Sequence, residues 1–287
     1  MKILRTRADL RLWRLALGTR SVGFVPTMGA LHEGHLRLVR QARAENEVVI
    51  ASVFVNPLQF GPHEDMAQYP RPFERDCELL QGEKVDALFA PSPEEMYPED
   101  RSVIVAESSV SRDLCGAARP GHFDGVCTVV LKLFHLVQPE RAYFGEKDAQ
   151  QLRVIERMVR DLDVPVAIVR VPTVREPDGL ALSSRNAYLT PPERAVAPLI
   201  YRSLEAVRAQ HAQGETRVSV LEAVGRSGLE RAALSAPTLR VQYWEIRHGK
   251  TLRKFPHDTV PHGAPALALV AAYLGATRLI DNLELGR

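Results

Sequence analysis

An apolar segment at residues 48–55 restricts the fold of this chain more than any other feature, because Ser52 is its only polar residue. A strand without polar alternation is typical of the centre of a parallel sheet, where helices cover both faces. Short apolar strands and segments of helical periodicity alternate on either side of it, which predicts an α/β fold with right-handed crossovers. The predicted strands are residues 21–26, 48–55, 86–90, 141–144 and 164–171, with a further short strand at 103–106.

The alternation ends near residue 185, and a different pattern follows. Two prolines open a predicted helix at 191–211, and a second helix is predicted at 218–234. Three strands come after both helices, at 239–247, 267–274 and 277–282. Helices and strands grouped in this way are typical of an α+β domain. We therefore expect a catalytic α/β domain over residues 1–185 and a smaller α+β domain, a lid, over residues 186–287.

Composition and charge restrict the partners and the compartment of the chain. A net charge of +2 without a dense Lys/Arg cluster does not indicate nucleic-acid or membrane binding. No apolar segment approaches the ~20 residues of a membrane-spanning helix, and the charged N-terminal residues lack the apolar core of a signal peptide. The three cysteines, Cys77, Cys115 and Cys127, are widely spaced, as is typical of free thiols in a reducing compartment. We expect a cytoplasmic protein.

The segment at residues 26–35 (PTMGALHEGH) begins where the first predicted strand ends and a helix starts. His32 and His35 are three residues apart, so they face the same way at the mouth of that helix. The spacing is one residue short of the His-Glu-x-x-His zinc motif, and no third ligand lies nearby. Glycine permits close approach of a ligand to the backbone, and helix N-terminal amides attract anions. Phosphate binding is therefore the better interpretation than zinc.

A second segment, residues 144–151 (FGEKDAQQ), also follows a predicted strand. It places Lys147, a mobile ammonium group, between two acidic residues. The chain has no Gly-x-Gly-x-x-Gly after a strand, and Trp244 occupies a required glycine position of the P-loop-like residues 248–251. Ligands of open α/β sheets bind at the carboxyl ends of the strands, so both segments indicate a site for nucleotide phosphates.

Five blocks of this sequence together resemble the pantothenate synthetase (pantoate–β-alanine ligase) family. They occur in the family's order and with similar spacing between about residues 20 and 190, whereas the C-terminal third resembles the family only in length and general character. The family often has tyrosine where this chain has Ala149, and methionine where it has Leu182. The matching blocks are residues 26–35, 54–60, 119–126, 145–151 and 174–185.

The resemblance implies an ATP-dependent condensation of (R)-pantoate with β-alanine. The products are pantothenate, AMP and diphosphate, and a pantoyl-adenylate is the intermediate; pantothenate leads to coenzyme A. The family also implies a Rossmann-like domain of the nucleotidyltransferase and class I synthetase type, Mg²⁺, and a homodimer. Such a reaction brings two anions together, so it needs preorganised donors and cations near the α-phosphate.

The resemblance also implies roles for individual residues. His35 would donate a proton, His32 would help to hold the phosphates, and Lys147 would neutralise charge at the reacting phosphate. Val174 would contact adenine through its backbone. The ATP-binding residues implied are Met28, Gly29, Ala30, Leu31, His32, Glu33, Gly34, His35, Gly145, Glu146, Lys147, Asp148, Val174, Leu182, Ser183, Ser184 and Arg185.

The substrate acid and the metal have their own implied residues. Gln59 and Gln151 would bind the hydroxyl and carboxylate groups of pantoate, with Gln59 also near β-alanine. Asp76 and Asp148 are the candidate carboxylates for Mg²⁺, directly or through water, because Mg²⁺ usually keeps waters and binds substrate phosphates.

Two other functions remain open at this point. One is a nucleotidyltransferase that transfers an adenylyl group to a phosphate acceptor; the other is a non-catalytic nucleotide- or tRNA-binding relative. The paired glutamines favour a small hydroxy acid over a phosphate ester, and the intact residues His32, His35 and Lys147 favour a working enzyme. Taken alone, Gln151 is better interpreted as an exposed helical residue, and Ser183 and Ser184 as a cap or turn; the fixed order of these residues around one predicted sheet edge reverses that balance.

Overall fold

A computed structural model describes residues 1–62 and 64–286 of the chain. The chain divides into two compact units. The first comprises Met1–Glu146 and Gln151–Pro172, and the second comprises Lys147–Gln150 and Thr173–Arg287. The domain division after residue 185 stays a prediction.

A six-stranded sheet in which every pairing is parallel forms the centre of the first unit. Its strand order is β1-β4-β3-β2-β5-β6. The predicted central strand is β3, and all of its residues except the last are buried. The parallel α/β sheet predicted from the sequence is therefore confirmed. The strands are β1 (Lys2–Leu4), β2 (Val22–Thr27), β3 (Val48–Val53), β4 (Ala87–Phe89), β5 (Arg141–Gly145) and β6 (Ala167–Val171).

The helices that cover this sheet bury apolar stripes against it. In α2 the buried residues recur at helical spacing, from Leu36 through Val39 to Ala42, and the last two join a core with Val49 and Leu88. None of the helices within residues 1–62 and 64–286 is long and apolar enough to cross a membrane. The helices are α1 (Arg7–Ala16), α2 (Glu33–Glu45), α3 (Phe73–Gly82), α4 (Pro93–Met96), α5 (Cys115–Ala118), α6 (His122–Val137) and α7 (Ala149–Asp161).

Strands β2 and β5 lie side by side, with Gly23 opposite Arg141 and Phe24 opposite Ala142. The chain fills the sheet from β2 towards β4 on one side and from β5 to β6 on the other, so the strand order reverses between them. Open α/β sheets bind ligands at the carboxyl ends of the strands at such a switch point. Because β2 ends at Thr27 and β5 at Gly145, both sequence motifs start at this edge of the sheet.

The second unit contains a three-stranded antiparallel sheet, in the order β7-β8-β9, with helices packed on it. Its core surrounds Trp244, whose indole N–H donates to Ser203 Oγ at 3.0 Å. The α+β character predicted for the C-terminal region is confirmed. The elements are α8 (Pro191–Val196), α9 (Leu199–Ala212), α10 (Val218–Ser235), β7 (Leu239–His248), β8 (Ala266–Leu274) and β9 (Thr277–Leu285).

Three local predictions differ from the structure. The predicted strand at 103–106 is wrong: Val103 and Ile104 are 77% and 59% exposed, and β-branched composition alone does not supply a partner strand. The single helix predicted at 191–211 is two helices, interrupted before Pro198, whose missing N–H cannot continue the helical hydrogen bonding. The first strand and helix were not predicted, because β1 is only 3 residues long and α1 exposes most of its length.

Candidate active site

The turn between β2 and α2 adopts a left-handed backbone conformation at two consecutive residues. Gly29 has φ +84° and Ala30 has φ +51°. Left-handed backbone is unfavourable for a residue with a Cβ, so Ala30 needs support from its surroundings. Thr27 supplies part of it, because its hydroxyl accepts from Gly29 N–H at 3.1 Å and donates to Ser52 O at 2.7 Å.

Asp76 supplies the rest of the support from helix α3. It is only 1% exposed, and its two carboxylate oxygens accept the backbone N–H groups of Ala30 and Leu31 at 2.9 and 2.8 Å. A Cβ added to Gly29 would lie 2.9 Å from Asp76 Oδ2, which explains the glycine. Burial raises the pKa of Asp76, and the two N–H groups oppose that shift. The turn that follows β2 is therefore preformed.

His32 and His35 form a cap at the start of helix α2. Gly34 N–H donates to His32 Nδ1 at 3.1 Å, and His32 N–H donates to His35 Nδ1 at 3.3 Å. The ring centroids are 4.1 Å apart. A backbone N–H only donates, so both Nδ1 atoms accept and each neutral ring carries its proton on Nε2. The local fold thus selects the tautomer in which Nε2–H is the donor.

Gln59 is buried and lies beside the first motif. It ends a single 3₁₀ turn, Pro57–Gln59, that follows β3. Its amide Nε2 is 2.9 Å from Met28 Sδ, and its Oε1 accepts from Asn56 Nδ2 at 3.1 Å. The structure therefore brings the predicted acid-binding glutamine to the predicted nucleotide-binding turn.

Asn56 connects this 3₁₀ turn to helix α6. Its Nδ2 also donates to Gly125 O at 3.0 Å, and its Oδ1 accepts from the hydroxyl of Tyr97 at 2.8 Å. Burial raises the pKa of Tyr97, so the phenol stays protonated and donates. A Cβ at Gly125 would lie 2.2 Å from Leu58 O, so only glycine permits this contact. Asn56 is a functional candidate that the sequence reasoning did not assign.

Arg119 and His122 hold the backbone of Gln59. The carbonyl oxygen of Gln59 accepts from His122 Nδ1 at 2.8 Å and from Arg119 Nη2 at 3.2 Å. Arg119 Nη1 is 2.9 Å from His122 Nε2, and a guanidinium only donates, so Nε2 accepts and Nδ1 carries the proton. Both residues lie in a matched block, which was the available signal, but that block indicated no role for them.

Glu64 orients the guanidinium of Arg119. Its two oxygens accept Arg119 Nε and Nη2, each at 2.6 Å. Burial opposes ionisation of Glu64, but the hydrogen bonds and charge of Arg119 outweigh it, and the pKa of Glu64 lies below its ordinary value. The charged pair therefore keeps Arg119 on the Gln59 carbonyl.

In the second unit, Lys147 and Asp148 follow the end of β5. The Lys147 side chain is 20% exposed and its Nζ lies 3.9 Å from Asp148 Oδ2, while the Asp148 side chain is 46% exposed. The Val174 carbonyl accepts Leu182 N–H at 3.0 Å, so these two predicted ATP contacts are neighbours. Ser183 Oγ accepts Arg185 N–H at 3.3 Å and caps the 3₁₀ helix Ser184–Tyr188. The Ser183 side chain therefore caps this 3₁₀ helix, as the alternative interpretation of the sequence predicted.

The predicted site residues share low exposure, with one exception. All are buried or half-buried as whole residues, including Gln151 in the first turn of α7, except Glu33. Glu33 is exposed and forms an ion pair with Arg40 on the surface of α2. The roles of the individual residues stay predictions.

A sequence model of the family pantoate-beta-alanine ligase matches residues 2–284 of the chain. The pantothenate synthetase of Thermus thermophilus is 55% identical over 285 residues, covering 99% of this chain and 99% of that protein. The pantothenate synthetase of Acidobacterium capsulatum is 54% identical over 283 residues, covering 99% and 92%. The chain belongs to the pantoate-β-alanine ligase family.

Solved structures of this family are similar to the chain over nearly its whole length. The crystal structure of pantothenate synthetase from Thermus thermophilus has a TM-score of 0.91 at 53% identity and covers 99% of both chains. Pantoate-β-alanine ligase from Francisella tularensis, complexed with beta-gamma ATP and β-alanine, has a TM-score of 0.78 at 34% identity and covers 99% and 97%. The chain is therefore an enzyme of pantothenate biosynthesis, a ligase of the pantoate-β-alanine type.

The two carboxylates predicted to bind magnesium, Asp76 and Asp148, differ in how far they are available to a metal ion. Within residues 1–62 and 64–286 no three His, Cys, Asp or Glu side chains form a metal-binding group. Asp148 offers a partly exposed carboxylate, whereas both oxygens of Asp76 already accept backbone N–H groups. An ion bound through phosphates, water and a single carboxylate matches the usual behaviour of Mg²⁺.

Proposed function

We propose that the chain condenses (R)-pantoate with β-alanine through a pantoyl-adenylate, forming pantothenate, AMP and diphosphate. The observation that carries the proposal is the preformed turn from Met28 to His35, in which the backbone places both imidazoles in the Nε2–H tautomer. Two such donors at a helix N-terminus, at the switch point of a parallel sheet, suit the phosphate chain of ATP.

In the first step a carboxylate oxygen of pantoate attacks the α-phosphorus of ATP. A new P–O bond forms while the bond from the α-phosphorus to the bridging oxygen breaks, and diphosphate leaves with that electron pair. We assign the Nε2–H donors of His35 and His32 to the phosphate oxygens that gain negative charge, and the ammonium of Lys147 to the same charge. Fixed donors of this kind need no reorganisation during the reaction.

In the second step the neutral amine of β-alanine attacks the acyl carbon of the adenylate. The C–N bond forms, the C–O bond breaks with its electron pair going to AMP, and the amine releases one proton to the solvent. We assign binding of pantoate to Gln59 and Gln151. Support comes from the Gln59 amide, because Asn56, Arg119 and His122 fix both its side chain and its backbone.

We assign Mg²⁺ to the phosphates of ATP. Asp148 is the protein carboxylate that we assign to the ion, because its side chain is partly exposed whereas both oxygens of Asp76 accept backbone N–H groups. The ion, when bound, would neutralise charge on the phosphate oxygens. The remaining outer phosphate contacts are assigned to Ser183, Ser184 and Arg185, since a guanidinium binds phosphate oxygens in a bidentate manner.

A homodimer and a cytoplasmic location are part of the same proposal. Val103 and Ile104 lie in a segment without regular secondary structure and have exposed apolar side chains, a surface that a second copy of the chain would cover. Light scattering on the purified protein tests the dimer, and a mass equal to one chain of 32.0 kDa would contradict it.

An isotope experiment tests the reaction. The protein is incubated with ATP, Mg²⁺, β-alanine and pantoate labelled with ¹⁸O in its carboxylate, and the products are measured by mass spectrometry. One ¹⁸O atom should appear in AMP, and omission of β-alanine should leave a pantoyl-adenylate on the enzyme. ADP as the nucleotide product would contradict the proposal, and transfer of the adenylyl group to a phosphate acceptor would support a nucleotidyltransferase.

A further inference from the structure

Strand β9 contains three buried polar residues, Thr277, Asp281 and Asn282, to which the proposed reaction gives no role. Asp281 is 4% exposed and Asn282 is 8% exposed, and they pair with Val270 and Leu269 of the neighbouring strand. Buried polar groups are unfavourable unless they find partners, so the partners of these two side chains indicate why they are there.

The partner of Asp281 is Arg175. Nη1 of Arg175 donates to Asp281 Oδ2 at 2.5 Å, and Nη2 donates to Oδ1 at 2.9 Å. The guanidinium also donates to the carbonyl oxygen of Asn282 at 3.3 Å, and it stacks on Tyr201 at 3.9 Å from the ring centroid. Asp281 Oδ1 accepts Asn282 N–H at 2.8 Å. Arg175 and Asp281 therefore fix the backbone of Asn282 on both sides.

The partner of the Asn282 side chain is the lysine of the second motif. Asn282 Nδ2 donates to the carbonyl oxygen of Lys147 at 2.9 Å, although the two residues are 135 positions apart. Lys147 and residues 173–287 belong to the same compact unit. Burial raises the pKa of Asp281, and the positive charges of Arg175 and Lys147 act in the opposite direction. Asp281 is thus within electrostatic reach of Lys147 as well.

These contacts act on a residue whose position matters in the proposed reaction. A lysine side chain has a flexible four-carbon stem, so the place of its ammonium depends first on where its backbone is held. The Lys147 carbonyl lies in the 3₁₀ turn Glu146–Asp148 that precedes α7, and the backbone of such a short turn is more easily displaced than that inside a long helix. A misplacement of about 1 Å in a reacting group reduces rates by up to ~100-fold.

We propose that Asn282 is a positioning residue for Lys147, and that the Arg175–Asp281 pair holds Asn282 in place to do so. The proposal rests on the role assigned to Lys147 above. It adds that the reaction depends on a buried side-chain amide from the last strand of the second unit.

Hydrogen exchange tests the tether without reference to catalysis. The peptide covering residues 144–151 is followed by mass spectrometry in the full-length wild type, in Asn282→Ala and in Arg278→Ala. Arg278 lies in the same strand and binds Gln242 at 2.8 Å, so it controls for a general loss of strand contacts. Exchange in the peptide should become faster in Asn282→Ala only. Unchanged exchange in Asn282→Ala, or equal acceleration in both variants, would overturn the tether.

Kinetics tests whether the tether acts through Lys147. Asn282→Ala should lower kcat for AMP formation about 10-fold and leave KM for ATP within about twofold, since a misplaced group affects the transition state more than binding. In a Lys147→Ala background, Asn282→Ala should have no further effect. Independent, multiplied losses in the double variant would contradict the proposal. If the alanine variant does not fold, Asn282→Ser, which has a shorter donor, serves in the same comparisons.

Failure of this inference and failure of the proposed function are distinguishable. A Lys147→Ala variant that forms AMP at the wild-type rate would overturn the positioning role, because Lys147 would then have no role in the reaction, while the overall condensation would stand. ADP in place of AMP as the product of the wild type would overturn the proposed function itself. A slow Lys147→Ala variant together with a normal Asn282→Ala variant would overturn only the positioning role.

Discussion

Asp76 holds Ala30 in a left-handed backbone conformation, with Asp76 Oδ2 accepting Ala30 N–H at 2.9 Å and Ala30 at φ +51°. The second carboxylate oxygen accepts the next N–H, of Leu31. A carboxylate that binds two consecutive amides stabilises a turn that alanine would otherwise avoid. This contact gives a structural explanation for an acidic residue that the sequence marked only as a magnesium candidate.

Asp76→Asn should separate these two roles. Its NH₂ group would face a backbone N–H, so one hydrogen bond is lost, and the free energy of unfolding should fall by about 1–3 kcal/mol. AMP formation should fall with it, because the turn loses its shape. Urea unfolding and an AMP assay measure both effects.

A substitution on the same helix and the addition of magnesium serve as controls for Asp76→Asn. Glu78→Gln, an exposed change on the same helix, should alter the free energy of unfolding by less than ~0.5 kcal/mol. Extra MgCl₂ should not restore Asp76→Asn. Restoration by magnesium would support the metal role and contradict the turn-holding role.

Two substitutions of His35 should separate the capping hydrogen bond at Nδ1 from the proposed catalytic donor at Nε2. In His35→Asn the amide oxygen lies near the place of Nδ1, so the bond from His32 N–H is kept while the Nε2–H donor is lost. AMP formation should fall about 100-fold, the effect of removing one transition-state donor. The free energy of unfolding should stay within ~0.5 kcal/mol of the wild type.

His35→Gln should do the opposite, since its amide NH₂ lies near the place of Nε2. We expect more activity than in His35→Asn but a free energy of unfolding lower by roughly 0.5–1.5 kcal/mol, for the lost capping bond. Single-turnover AMP formation ranks the two variants by activity, and urea unfolding ranks them by free energy of unfolding. A more active His35→Asn would contradict the assignment of Nε2 as the donor.

Gly125→Ala should impair the binding of pantoate. The new Cβ would lie 2.2 Å from Leu58 O and 2.6 Å from Gln59 N, so the 3₁₀ turn that carries Gln59 has to move. Displacement of a binding residue should raise KM for pantoate at least ~10-fold. Steady-state kinetics with varied pantoate measures the change.

Gly228→Ala is the matched control for that substitution. Gly228 lies in α10 with nothing within 4 Å of a new Cβ, and alanine is the better helix former by up to ~1 kcal/mol. The control should leave KM unchanged and raise the free energy of unfolding. An unchanged KM for pantoate in Gly125→Ala would remove Gln59 from the acid-binding role or show that the turn adapts.

Hydrophobic periodicity and motif position in the sequence were enough to predict the elements of the fold that depend on neighbouring residues. The apolar residues 48–55 predicted the central strand, and the two motifs predicted that β2 and β5 end at the ligand-binding edge of the sheet. The strand order, which reverses between β2 and β5, was not predicted. The roles of Arg119 and His122 were not predicted, because both side chains bind the backbone carbonyl of Gln59. Every residue has such a carbonyl, so the residue types do not identify the partner. A contact between residues 135 positions apart, from Asn282 to Lys147, likewise leaves no periodic signal.

Acid should weaken the protein partly through Glu64. Arg119 lowers the pKa of Glu64 in the folded state below the ~4.3 of an unfolded glutamate, so between the two values the unfolded chain binds more protons. The stabilisation from this pair is therefore complete above pH ~4.3 and is lost as the pH falls through the folded-state pKa.

Glu64→Gln removes that titration, so the variant should be less stable than the wild type at neutral pH, and the difference should shrink in acid. Urea unfolding of both proteins between about pH 3 and 6 measures the difference. KM for pantoate should rise in the variant at neutral pH, because Arg119 loses the partner that keeps it on Gln59 O. A stability difference that stays constant over that range would show that the charge of Glu64 does not contribute.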